Sequence, residues 1–207
     1  MTRLRAAVTL THQCWLFAVG SAFFALATAP GFADVAGETA ANALCFVGSW
    51  FFTSAAWIQL VRSGPEGSLQ WHSAATQFVG TVLFNVSTGA SVLAHRAIAE
   101  RGLVWAPDAT GSVAFLVSGV LAVAALEGGA GAFRPRSPEW QSTWINMLGC
   151  VAFGCSALGA FVRASGVTAD EALANGGTFV GALCFLAAAL LPLGPRARRR
   201  WGGIERA

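Results

Sequence analysis

Residues Ala41–Val61 read ANALCFVGSWFFTSAAWIQLV, 21 residues without one charged side chain. Wound as an α-helix at about 1.5 Å per residue, some 20 such residues cover the roughly 30 Å of hydrocarbon in a bilayer. Five more stretches of the same kind emerge once the charges are marked: Thr11–Ala29, His72–Ala94, Gly111–Leu126, Gln141–Val162 and Asn175–Leu193. Only 11% of the 207 residues are charged and 55% are hydrophobic, whereas a soluble domain carries roughly a quarter charged residues. Strand barrels announce themselves by short alternating segments of about ten residues, and none is visible. The expected fold is therefore all-α, a polytopic transmembrane helical bundle of six spans. No remaining segment is long enough to bury a core of its own, so residues 1–207 form a single integral membrane domain.

Orientation follows from the basic residues, all 13 of which are Arg. With an even number of spans, one side collects Arg3, Arg5, Arg62, Arg134, Arg136, Arg196, Arg198, Arg199, Arg200 and Arg206, leaving Arg96, Arg101 and Arg163 on the other. By the positive-inside rule both termini are expected in the cytoplasm. Trp57, Trp71, Trp105, Trp140 and Trp144 fall near span ends, where indole favours the interface. The net charge of +3 then reports topology, and no nucleic-acid partner is expected. Residues 1–33 also resemble a signal peptide, with Gly31-Phe32-Ala33 standing where a cleavage site would. The run is longer than a usual signal core, and span two needs a partner, so retention is the expectation.

Internal self-similarity organises the chain. At an offset of 133, Glu38, Asn42, Phe46-Val47-Gly48 and Phe52 fall on Glu171, Asn175, Phe179-Val180-Gly181 and Phe185, so span two lies over span six. At an offset of 69, Trp71, Ser73, Gly80, Val82 and Phe84 fall on Trp140, Ser142, Gly149, Val151 and Phe153, laying span three over span five. The same offset lays span two over span four, pairing Phe46 with Phe115 and Ala55-Ala56 with Ala124-Ala125. The implied unit is a two-helix hairpin, present as three tandem copies over about 11–62, 72–127 and 141–194.

The Phe17-Ala18-Val19-Gly20-Ser21 and Phe46-Val47-Gly48-Ser49 stretches resemble the YrhK-like two-helix modules of bacteria. Trp144–Ala157 and Ala174–Leu191 are similar to uncharacterised multi-pass membrane proteins of high-GC bacteria, which the Lys-free, Ala- and Arg-rich composition also fits. The resemblance implies a bacterial plasma membrane as location. It implies no activity and brings no catalytic residues.

Chemistry is sparse. No H-E-x-x-H, no P-loop and no pair of facing carboxylates occurs, and no charge falls inside the six stretches, where pumps and proton relays keep theirs. Glu127 comes nearest, at the end of span four, where an interfacial, solvated carboxylate is expected. Cys14, Cys45, Cys150, Cys155 and Cys184 form no C-x-x-C pair and read as small apolar fillers. His12 and His72 begin spans one and three without lying deep in either, so neither a haem nor a metal site is expected. The chain thus reads as non-enzymatic and without cofactor.

The best local signal is polar. Gln77, Thr81, Asn85, Thr88, Ser91 and His95 recur at spacings of three and four on span three, a stripe confined to a sector of roughly 120° on one helix face. Span two carries a lesser stripe of Asn42, Cys45, Ser49 and Thr53. An unpaired amide at mid-span costs several kcal/mol, so Asn85 must meet a neighbouring helix, water or a ligand. Two functions compete. The first is a module acting through helix packing or contact with a membrane-protein partner or a second copy of itself. The second is a small-solute transporter or channel with a polar path along spans two and three. Beyond the last span, Arg196, Arg198, Arg199 and Arg200 form a basic tail suited to anionic lipid at about 1 kcal/mol per charge.

Overall fold

The computed structural model describes residues 9–93, 100–126 and 133–194. His95, Glu127 and the basic tail of Arg196, Arg198, Arg199 and Arg200 lie outside the described residues. The described residues form six long helices, α1 (Leu10–Ala27), α3 (Glu38–Arg62), α4 (Leu69–Leu93), α5 (Ala106–Ala124), α6 (Pro138–Gly159) and α7 (Glu171–Leu190), with a short α2 (Phe32–Ala36) in the first connection. Their starts carry the expected chemistry. Thr9 Oγ1 accepts from the His12 amide, Ser137 Oγ from that of Trp140 with Pro138 following, and Asp170 Oδ1 from that of Leu173. Gly31 and Gly37, at φ 79° and 86°, make the turns around α2.

Successive long helices pack on one another and α7 returns against α1, closing a six-membered ring. The closest pairs are α1–α3, α4–α5 and α6–α7. Each of the six helices carries the same pentapeptide, Gly-small-x-x-Phe, at Gly20–Phe24, Gly48–Phe52, Gly80–Phe84, Gly111–Phe115, Gly149–Phe153 and Gly181–Phe185. All six Phe join one buried cluster. The small residue after each Gly (Ser21, Ser49, Thr81, Ser112, Cys150, Ala182) is at most 2% exposed.

The glycines explain the close pairing. A Cβ on Gly80 would sit 2.7 Å from the Phe115 ring and one on Gly111 equally near Phe84, with each glycine against the other's carbonyl at 3.1–3.2 Å. Gly149 and Gly181 repeat this with Phe185 and Phe153. The rings consequently stack, Phe84 on Phe115 at 4.9 Å and Phe153 on Phe185 at 5.2 Å. Phe24 and Phe52 meet edge-on at 5.5 Å.

The inside of the bundle combines the aromatic cluster with small hydroxyl residues, and the outside is apolar too. Among the described residues nine polar ones are buried, all Ser or Thr, while Val79, Val82, Val86, Val113, Val117, Val120, Val151 and Val180 are exposed on the outside. Small residues between helices and branched apolar ones facing outward are what packing in lipid requires, because lipid supplies no hydrophobic drive between helices. Five helical segments are long and apolar enough to cross a membrane: Leu10–Ala27, Glu38–Arg62, Arg101–Ala124, Pro138–Gly159 and Glu171–Leu193. The helix α4 is not among them. It is 25 residues long and uncharged, but Gln70, Gln77, Asn85 and its hydroxyls lower its hydropathy.

Two expectations are revised. The fourth helical segment begins before Gly111, because a π-helical turn at Glu100–Trp105 runs directly into α5. Pro107 has no N–H to give to the preceding turn, which accounts for the irregular winding. Also, the buried phenylalanine of α3 that matches Phe115 is Phe52, an offset of 63; Phe46 lies outside the central cluster, against Trp50.

Candidate functional site

Two polar regions stand out, and they meet at Gln59 and Gln77. The first is a cavity of about 350 Å³ on the bundle axis, at the end where α1, α4 and α6 begin. All six long helices line it, and Phe52 and Phe185 form its floor. Its walls carry Gln13, Gln59, Gln70, Gln77 and Asn146 as amides, with Thr143 beside them. Among the described residues the charged ones lining it are Arg62, in the last turn of α3, and the exposed Glu139, in the first turn of α6. In the order of the ring, α3 and α6 are opposite members.

Hydrogen bonds fix part of the wall. Gln77 Oε1 accepts from Gln59 Nε2 at 3.5 Å and lies 3.3 Å from Ser118 Oγ. Ser73 Oγ donates to the Ser118 carbonyl and Ser118 Oγ to the Ser73 carbonyl, both at 2.9 Å, which locks α4 to α5. Ser142 Oγ donates to the Ala188 carbonyl at 2.8 Å, at the equivalent place between α6 and α7. Asn146 reaches the Cys150 sulfur at 3.7 Å, a weak contact that leaves its carbonyl oxygen for the cavity.

The second region is the seam between α3 and α4, where the two sequence stripes meet as a ladder. Asn42 Nδ2 donates to the Ser91 carbonyl at 3.3 Å, Thr88 Oγ1 to Ser49 Oγ at 3.1 Å, and Asn85 Nδ2 to Thr53 Oγ1 at 2.9 Å. The Gln59–Gln77 contact is the last rung and opens on the cavity. Thr81 is fully buried and turns its hydroxyl back to the Phe78 carbonyl at 2.7 Å. Asn85 Oδ1 is buried without a hydrogen-bond partner among the described residues. Of the stripe, then, Gln77 faces the cavity, while Asn85, Thr88 and Ser91 bond across to α3.

Other sequence candidates are brought to no common site. His12 and His72 are exposed and bond locally, to Thr9 Oγ1 and to the Ser68 carbonyl. Among the described residues no group of His, Cys, Asp or Glu could hold a metal ion. One residue was missed outright. Asp108 is half-buried inside the fourth helical segment. It shares a helix face with Gly111, Ser112 and Phe115 and lies within electrostatic range of Cys45 on α3. Only the uncharged-run criterion hid it.

At the opposite end of the bundle, Trp105 Nε1 donates to the Ala157 carbonyl at 2.9 Å and its ring meets Phe161 edge-on. The Arg101 guanidinium lies 4.7 Å from the Phe161 centroid. These contacts tie the π-helical turn to the α6–α7 connection. The chain matches no family model, no curated protein and no solved structure.

Proposed function

We propose that this chain is a non-enzymatic plasma-membrane protein of six spans, built as three tandem hairpins, that admits a small polar solute into the axial cavity. The observation carrying the reading is the cavity itself: six helices converge on amide-rich walls above a floor of aromatic rings. Its volume falls among those of small-molecule sites, about 300–1,000 Å³. On this reading α4 is the sixth span, its polar face sheltered by α3 and α5. The positive-inside rule puts the cavity mouth in the cytoplasm, on the side of Arg62 and Arg134. The recurring Gly-small-x-x-Phe unit supports the tandem hairpins and the kinship to YrhK-like modules.

In this conformation the Phe cluster is the seal, and solute passage requires it to part. A second reading, a module acting through helix packing or a membrane partner, is favoured by the α3–α4 ladder, whose stripes bond to each other. The two readings differ in where water goes. In a variant lacking the native cysteines, single substitutions Gln77→Cys and Asn146→Cys should react with a membrane-impermeant thiol reagent from one side. Asn85→Cys, Thr88→Cys and the outward Val82→Cys should stay protected. Protection at Gln77 and Asn146 would leave the packing reading in possession; labelling at Asn85 and Thr88 would restore a path along α3 and α4.

A further inference from the structure

The motif glycine also orders what stands on either side of the six rings. Three residues before it, α1, α4 and α6 carry Phe17, Gln77 and Asn146, all lining the axial cavity. In α3, α5 and α7, which run the opposite way, the same position holds Cys45, Asp108 and Thr178, a layer on the far side of the rings. Asp108 faces the interior. It shares the helix face of Gly111, Ser112 and Phe115, all buried. It also acts electrostatically on Cys45, although α4 stands between α3 and α5 in the ring. Cys45 itself packs against the aromatic cluster. Since the other two copies place a thiol and a hydroxyl here, repeat packing does not demand the carboxylate.

We propose that Asp108 binds a small monovalent cation, a proton or a sodium ion, inside the bundle and beyond the aromatic layer. The residue stands in the fourth helical segment, seven positions after Arg101 and so about 10 Å along the helix. The winding starts at Glu100, so Asp108 is no N-terminal cap, and a helix dipole acts only within the first turn. Among the described residues it has no hydrogen-bond or ion-pair partner, and the Arg101 guanidinium lies over the Phe161 ring instead. The neutral members of its layer are the Cys45 thiol and the Thr178 hydroxyl, the latter 2.7 Å from Ser156 Oγ. A carboxylate at such depth is costly until a cation neutralises it, and ionisable groups there mark ion and proton pathways. Asp108 is only half-buried, which leaves the ion a way in from the end opposite the cavity.

The test uses the full chain in lipid nanodiscs at neutral pH, with choline as the only salt cation. If the ion is a proton, the infrared difference between wild type and Asp108→Asn should contain a carboxyl C=O band. If it is sodium, that band is missing, and replacing choline by sodium raises the unfolding midpoint of the wild type, as a ligand of the folded state must. Asp108→Asn should lose that shift. Asp108→Glu should keep whichever signature is found, with any carboxyl band displaced in frequency. That variant ties the signal to carboxyl chemistry rather than to packing, and it serves even where the Asn variant fails to fold. A bare carboxylate in choline, together with a midpoint indifferent to sodium, overturns the proposal. So does an equal loss of stability in Arg96→Gln, Asp108→Asn and their double variant, because an arginine would then already hold the charge. Neither readout involves a solute or the cavity walls, so the cation site and the solute-admitting reading fail separately.

Discussion

The α6–α7 pair and the α3–α4 seam are both contacts between antiparallel neighbours, yet the balance of forces differs: the first adds glycine-backed ring stacking to the hydrogen bonds of Ser142 and Ser156, while the second relies on hydrogen bonds between polar stripes. In the first, Gly149 and Gly181 let the backbones touch and let Phe153 and Phe185 stack at 5.2 Å. Nothing there can move without forfeiting many short contacts at once. In the second, Asn42, Ser49 and Thr53 meet Ser91, Thr88 and Asn85 through single hydrogen bonds, and Asn85 Oδ1 has no hydrogen-bond partner among the described residues. Such bonds contribute about 0.6–2 kcal/mol each between membrane helices. A hairpin thus behaves as a rigid body, and the seam between hairpins is where the ring can give.

That contrast can be broken or sharpened by substitution, measured as unfolding free energy in mixed micelles on titration with SDS. Phe153→Ala, which opens the centre of the aromatic cluster, should cost the most, about 3–5 kcal/mol. Gly181→Ala should cost about 1–3 kcal/mol, because its Cβ would lie 2.5 Å from the Phe153 ring, itself pinned by stacking. Gly176→Ala on the same helix, with nothing within 4 Å, should leave stability unchanged or slightly raised. Equal costs at the two glycines would refute the rigid-hairpin account.

Asp108→Asn should stabilise by about 1–3 kcal/mol, since a half-buried carboxylate is costly in a helix long and apolar enough to cross a membrane. A loss instead would reveal a favourable partner for that charge. The smallest effect is expected at the seam. A double-mutant cycle on Asn85→Ala and Thr53→Ala should give a coupling of about 0.6–2 kcal/mol, well below the Phe153 cost. A larger value would make the seam as stiff as the hairpins.

Helix positions were legible because charge-free runs of the right length are rare outside membranes, and each predicted stretch overlaps a long helix. Boundaries failed where a charge sits within a helix: Asp108 ended the run although the winding continues back to Glu100. The ladder was legible on each helix, since polar residues at spacings of three and four must share a face. That Asn85 would find Thr53 needed the third dimension. The cavity was not legible, because Gln13, Gln59, Gln70 and Asn146 come from separate helix ends and each looks bland alone. The aromatic cluster had a usable signal. The Gly-small-x-x-Phe unit recurs in every one of the six long helices, but alignment at a single offset of 69 put Phe46 rather than Phe52 beside Phe115.

Closure of the ring by α7 against α1 has a consequence for biogenesis. Helices leave the translocation machinery in chain order, and hairpins that pair locally can assemble as they emerge. The α1–α7 contact is the exception, joining the first and last of the described long helices. Until α7 docks, α1 lacks one flank, the aromatic cluster lacks Phe185, and the cavity lacks part of its floor. The site therefore comes into being in one late step. A nascent chain stalled before Glu171 would present an open arc of helices, with a Phe-lined inner face bare to lipid and to any chaperone waiting there.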